Sequence, residues 1–201
     1  ARLKGSDFSR IVLIGPAHRV WFRGIALPGS THFETPLGLV PVDSDACQRL
    51  ASLPGMIESM AAHEMEHGLE VQLPFLQAVL GEFSVVPLLV GDAGMDAVSN
   101  VIDLFIGEPG TLVVVSSDLS HFHPYVVAQA LDGTTAKCIL ELDPVLSQEQ
   151  ACGATPINGL LISASRKGLE PKLIDIRNSG DTAGDKRRVV GYASFSFGDT
   201  A

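Results

Sequence analysis

The chain has 201 residues, 46% of them hydrophobic and only 18% charged, a composition that supports a packed globular fold and excludes intrinsic disorder. Its net charge of −9, with no basic run longer than Lys186-Arg187-Arg188, opposes phosphate backbones and anionic lipid surfaces. Neither nucleic acid nor a membrane is therefore expected as a partner, and the longest apolar runs fall well short of the roughly 20 residues a spanning helix needs.

Cys47, Cys138 and Cys152 are widely spaced and form no CxxC pair, which reads as reduced thiols in a cytoplasmic protein. Ala1-Arg2-Leu3-Lys4 runs almost at once into a buried-type strand, so a fragment or processed chain is expected. Residues 1–201 should then form a single domain.

In chain order, Arg10 to Gly15 (RIVLIG) is a continuous apolar β-branched run ending in Gly-Pro, the mark of a buried strand that feeds a loop. Asp43 to Leu53 and Leu69 to Leu80 have helical spacing. Phe83 to Val90 is a second strand, Ala93 to Ile106 a helix, and Thr111 to Ser116 (TLVVVS) a third strand. Pro124 to Leu142 is a longer helix. Thr155-Pro156 opens another, with threonine as a cap, and Lys167-Gly168 closes it. Val189 to Phe197 (VVGYASFSF) reads as a further strand. Strands alternating with helices of ten or more residues predict an α/β fold, a mostly parallel sheet flanked by helices.

His63-Glu64-Met65-Glu66-His67 satisfies H-E-x-x-H, by which zinc peptidases hold a metal and a general base on one helix. The surroundings oppose that reading. Gly68 follows the second histidine and Pro74 comes soon after; in a helix these cost roughly 1 and 3 kcal/mol. A break between Ala62 and Leu69, or a new helix near Glu66, is expected, and His63 and Glu64 then form a solvated flank. A zinc peptidase through His63, Glu64 and His67 stands as the least favoured function.

Open α/β sheets place their sites beyond the carboxyl ends of the strands. Three segments put reactive groups there or at a helix start. Ile14-Gly15-Pro16-Ala17-His18 ends a strand on a histidine. Ser116-Ser117-Asp118-Leu119-Ser120-His121-Phe122-His123 releases hydroxyls, a carboxylate and imidazoles after another strand. Ala151-Cys152-Gly153 sets a thiol ahead of a helix, where the local partial charge favours thiolate. Taken singly, such residues are more often surface, capping or core groups; Asp118, for one, would cap a turn beginning at Leu119.

Gly15-Pro16-Ala17-His18, Glu66-His67-Gly68-Leu69-Glu70-Val71-Gln72-Leu73-Pro74-Phe75-Leu76, Val86-Pro87-Leu88-Leu89-Val90-Gly91, Ser116-Ser117-Asp118-Leu119-Ser120-His121, Cys152-Gly153 with Pro156-Ile157, and Asn178-Ser179-Gly180-Asp181 with Val190-Gly191-Tyr192-Ala193 resemble, in this order, the Memo family, whose prokaryotic members are called AmmeMemoRadiSam system protein B. The resemblance covers nearly the whole chain. It implies a fold like that of class III extradiol dioxygenases and a pocket for a redox transition metal, copper or iron. On that carry-over His18 and Cys152 are metal ligands, and His67, Asp118 and His121 are catalytic candidates lining the same pocket. The family's Pro-His-Ala-Gly-Tyr block, which supplies another metal histidine, has no counterpart here; an N-terminal strand and helix are expected to be missing.

The function expected is that of a Memo-like metal-binding protein, redox-active, an oxidoreductase or dioxygenase-like enzyme if it is an enzyme. A cysteine in place of a carboxylate ligand disfavours ordinary ring cleavage. The alternative is a non-enzymatic module binding a peptide or small ligand through the same imidazoles, and the resemblance implies a radical-SAM protein as functional neighbour.

Overall fold

The computed structural model describes residues 3–182 and 184–198; the abrupt start at Ala1 and Arg2 lies outside them. The chain divides into two compact units, one ending at Ser116 and the other beginning at Ser117.

The N-terminal unit is built on a five-stranded sheet in the order β5-β2-β6-β1-β7. Strands β1 (Arg10–Pro16), β6 (Ser84–Val90) and β7 (Thr111–Val115) coincide with three of the apolar runs, and β1 pairs in parallel with both of the others. Two three-residue strands widen it: β2 (Ile25–Leu27) runs antiparallel to β6 and parallel to β5 (Met56–Glu58). The sheet is thus mostly parallel. Ile11 to Ile14 and Val85 to Val90 are almost wholly buried, which is why they read as unbroken apolar runs rather than alternating ones.

Helices α1 (Ser44–Ala51), α2 (Met60–Glu64), α3 (Leu73–Val79) and α4 (Met95–Asp103) belong to this unit, as does a hairpin of β3 (His32–Thr35) and β4 (Gly38–Pro41). Asp43 caps α1 by accepting the Ala46 N–H, and its other carboxylate oxygen accepts from Arg10 Nε at 2.7 Å, tying the helix start to the core strand. Leu69 to Leu80 is not one helix: a 3₁₀ turn over Glu70–Gln72 precedes α3, and Pro74 sits in the first turn of α3, where its missing N–H has no helical partner to lose.

The C-terminal unit carries an antiparallel sheet, β8-β10-β9, made of β8 (His121–His123), β9 (Glu170–Asn178) and β10 (Val189–Gly198). Helix α5 (Tyr125–Leu140) packs on β9 and β10, and α6 (Ala154–Lys167) precedes β9. Val189 to Phe197 therefore does not continue the parallel sheet. From Val189 to Ser194 its residues alternate between more and less buried, as in a strand with one solvated face, and Phe195 to Phe197 are all half-buried. Helix α6 starts one residue before Thr155: Gly153 is its N-cap, and Thr155 and Pro156 lie within the first turn. Its end is as the sequence implies, with Gly168 in the left-handed region at φ 67°. No helix among the described residues is long and apolar enough to cross a membrane.

Candidate metal centre

Strand β1 leaves the core at Pro16, the Ala17 N–H bonds to the Val90 carbonyl at 2.9 Å, and His18 follows, so this histidine is presented directly off a rigid strand end. A second segment meets it. Helix α2 stops at Glu64, and residues 65–69 turn toward the end of β1. Gly15 permits that approach, because a Cβ there would lie 2.9 Å from Leu69 Cδ2. Ser116 Oγ fastens the turn by donating to the Gly68 carbonyl at 2.6 Å and accepting from Gln72 Nε2 at 3.2 Å.

Glu66 lies at the centre of the junction, its side chain only 2% exposed. One oxygen, Oε2, accepts the His18 backbone N–H at 2.6 Å. The other, Oε1, meets His18 Nδ1 at 2.8 Å and accepts the backbone N–H groups of His67 at 2.9 Å and Gly68 at 3.1 Å. Burial raises the carboxyl's pKa, but the hydrogen bonds from His18, Gly68 and His67 outweigh it and hold the group below 4.5, ionised at neutral pH.

The His18 and His67 rings stack with centroids 5.0 Å apart and planes 28° from parallel, and His67 Nδ1 stands 3.4 Å from Glu66 Oε1. One ligand-capable atom each from His18, Glu66 and His67 falls within 4.8 Å of the others. The outer faces differ: the His67 side chain is 56% exposed and that of His18 31%.

His63 is elsewhere, and not solvated as a zincin-like flank would be. It is a buried residue whose Nε2 pairs with the Ala26 carbonyl at 3.1 Å and whose ring meets Phe33 edge-on. Burial pushes its pKa below 6.5, against smaller opposing effects of the Ala26 carbonyl and Glu66. The helix bearing His63 ends before His67, so the H-E-x-x-H letters do not place both rings one turn apart on one helix. Glu64, by contrast, is exposed.

The other candidate residues gather within the C-terminal unit. Cys152 Sγ accepts the Asp118 backbone N–H at 3.3 Å and lies 3.6 Å from Ser117 Oγ. Ser117 Oγ donates to the Asp118 carbonyl at 2.7 Å and accepts the Gly153 N–H at 2.8 Å, locking the Ser117–Asp118 turn against the start of α6. His121 Nε2 is 3.5 Å from Asp118 Oδ2, with both side chains partly exposed. Asp118 caps no helix: the Leu119 N–H bonds to the Gly191 carbonyl, and β8 follows.

The structure thus gathers the five sequence candidates in two groups, His18 with His67 and Cys152 with Asp118 and His121. Glu66 is the residue the sequence reading passed over. Its signal was present in Glu66-His67-Gly68, a carboxylate followed by two amides that no helix uses.

Fold and clusters together define a class: a mixed α/β protein that gathers imidazole and carboxylate donors just past the end of a central parallel strand. The Memo-like protein family model matches residues 1–196, and the chain belongs to the Memo family. A MEMO1 family protein of Sulfolobus acidocaldarius is 33% identical over 211 residues, spanning 98% of this chain and 74% of that protein. Another, from Nitrosopumilus maritimus, is 32% identical over 200 residues, spanning 93% and 73%. Among solved structures, the uncharacterized protein JW3007 from Escherichia coli K12 is similar at a TM-score of 0.60 and 15% identity, covering 90% of this chain and 85% of that one. That likeness concerns the fold alone.

Proposed function

We propose that this Memo family chain binds a redox transition metal, copper or iron, with His18 and His67 as imidazole ligands. One observation carries the reading: the His18 and His67 rings stack with centroids 5.0 Å apart beside the buried Glu66 carboxylate at the end of β1. The donors fit such an ion, because imidazoles suit copper, iron or zinc, whereas magnesium and calcium favour shells of oxygen. When bound, copper or iron supplies electron transfer or polarises a coordinated ligand.

The chain's own residues would do the rest. Glu66 fixes the strand-end histidine, and the exposed ring of His67 is reachable by a small-molecule or peptide ligand. In the C-terminal unit the family resemblance makes Cys152 a metal ligand, and its sulfur is placed by the Asp118 N–H at 3.3 Å and Ser117 Oγ at 3.6 Å. Asp118 and His121, 3.5 Å apart, act there as an acid/base pair passing a proton between Oδ2 and Nε2. A radical-SAM protein is the proposed functional neighbour.

The test is anaerobic titration of metal-free protein with Cu(I), Fe(II), Zn(II) and Mg(II). Copper or iron is expected to bind stoichiometrically and magnesium not at all, with His18→Ala and His67→Ala each weakening binding roughly tenfold or more. A wild-type protein that takes up no transition metal refutes the proposal. A Cys152→Ala variant with unchanged affinity removes Cys152 from the proposed ligands and leaves the imidazoles.

A further inference from the structure

We propose that Glu66 is a positioning residue: it holds the His18 imidazole with Nδ1–H against the carboxylate and leaves Nε2 as the nitrogen offered to the metal, without becoming a ligand itself. The purpose assigned to Nε2 rests on the metal-binding reading above. The tautomer does not, since it belongs to the metal-free protein.

A carboxylate only accepts hydrogen bonds, with two oxygens and about four lone-pair directions. In Glu66 they are heavily used. Oε1 receives His18 Nδ1–H at 2.8 Å, the His67 N–H at 2.9 Å and the Gly68 N–H at 3.1 Å, while Oε2 receives the His18 N–H at 2.6 Å. A neutral imidazole carries one N–H, so a ring that donates from Nδ1 keeps its free lone pair on Nε2. A metal approaching Oε1 would have to displace donors whose backbone is fixed by the Gly15–Leu69 contact and the Ser116 to Gly68 bond. With its side chain 2% exposed, Glu66 also has little water to compete for those sites. The arrangement is a carboxylate behind a ligand imidazole, which sets the ring's orientation and tautomer. His67 is held less firmly: its backbone N–H donates to Glu66, while its Nδ1 stands 3.4 Å from the same oxygen. His18 is therefore the preorganised donor of the two.

A purely structural Glu66 would stitch the two loops together and leave the ring free to adopt either tautomer. Glutamine separates the two roles, because Glu66→Gln retains the shape but puts an NH2 where an oxygen now accepts. The experiment is long-range ¹H–¹⁵N spectroscopy of histidine-labelled, metal-free protein at pH 8, with the His18 signals identified by their loss in His18→Asn. Wild type is expected to show His18 as the Nδ1–H tautomer. Glu66→Gln should move it toward Nε2–H, the form a free histidine side chain prefers in water, and weaken Zn(II) binding roughly 10- to 100-fold. Glu66→Asp, which keeps a shorter carboxylate, serves should the glutamine variant fail to fold, and it should retain part of the Nδ1–H population. An Nε2–H tautomer in the wild type overturns the proposal whatever metals bind. So does a folded Glu66→Gln protein with unchanged tautomer. A wild type that binds no metal but shows an Nδ1–H ring sensitive to Glu66 defeats the metal reading and leaves the positioning role standing.

Discussion

Gly191→Ala is expected to destabilise the C-terminal unit severely, and the reason lies in how Asp132 is housed. Asp132 is 3% exposed on α5, and its Oδ1 accepts the Ser120 N–H at 3.0 Å. Gly191 in β10 bonds on both sides to the same loop, donating to the Ser120 carbonyl at 2.8 Å and accepting from the Leu119 N–H at 2.9 Å. A Cβ built on Gly191 would overlap Asp132 Oδ2 and stand 2.6 Å from Oδ1. The methyl must either push the carboxylate out or part β10 from the loop. Overpacking of this kind costs about 1–3 kcal/mol, and a lost hydrogen bond to a buried carboxylate about 1.5–3 kcal/mol more. The sum, about 2.5–6 kcal/mol, lowers the melting temperature on the order of 10 °C for a chain of this size. The neighbouring Gly133→Ala is the control: Gly133 is exposed on the same helix with nothing within 4 Å of its built Cβ, so the change should stabilise by about 0.5–1 kcal/mol. Calorimetry of the three proteins decides the matter. A Gly191→Ala protein within about 0.5 kcal/mol of wild type, the range of ordinary surface substitutions, would refute the reasoning. Because the Ser120 loop also carries Asp118 and His121, the spectrum of His121 should change in Gly191→Ala and not in Gly133→Ala.

His63→Ala removes a buried ring and its bond to the Ala26 carbonyl, costing about 2–4 kcal/mol in urea denaturation while leaving metal affinity unchanged; lost metal uptake in a folded variant would restore the H-E-x-x-H reading. Acidification should destabilise the protein in two steps. His63 is neutral when folded because burial lowers its pKa below 6.5, so the unfolded chain binds the extra proton and stability falls as pH drops below about 6.5. Glu66, held below 4.5 by its donors, adds a second loss once pH falls below about 4.5 and on through its lower folded value. A urea midpoint that stays flat from pH 7 to 5.5, or a His63→Gln variant with the same upper slope as wild type, contradicts the first step. Burial, with Asp43 and Glu58 nearby, pushes the Cys47 thiol up to about 11. At pH 8 roughly one molecule in a thousand then holds the thiolate. Iodoacetamide should label Cys47 slowly in the folded protein and fully on denaturation, as read by mass spectrometry, and prompt labelling of folded protein would contradict the raised pKa.

The central strands were legible because burial on both faces leaves a continuous apolar run, as in Ile11 to Ile14 and Val85 to Val90. The short pieces were not. Three-residue strands such as Ile25–Leu27 and Met56–Glu58 carry no period, and Glu170–Asn178 is exposed at most positions on both faces, so charges and a proline stand where an apolar alternation would have marked a strand. At the site, His18 and His67 were legible from their loops and from family blocks, while Glu66 was not, since nothing local says that a glutamate will be buried under four donors. His63 shows the converse: an imidazole inside a metal-like motif that the core claims instead.

By itself the sequence determined the long buried strands and most of the longer helices, that no single helix runs from His63 through His67, and which family blocks the chain carries, because these depend on residue spacing within one or two turns. Only the tertiary structure decided that a glutamate 48 positions beyond His18 would become its partner. That pairing requires the small Gly15 surface and the Ser116 hydroxyl to bring two distant loops into hydrogen-bond range, and contacts between segments far apart in the chain leave no periodic trace in the order of residues.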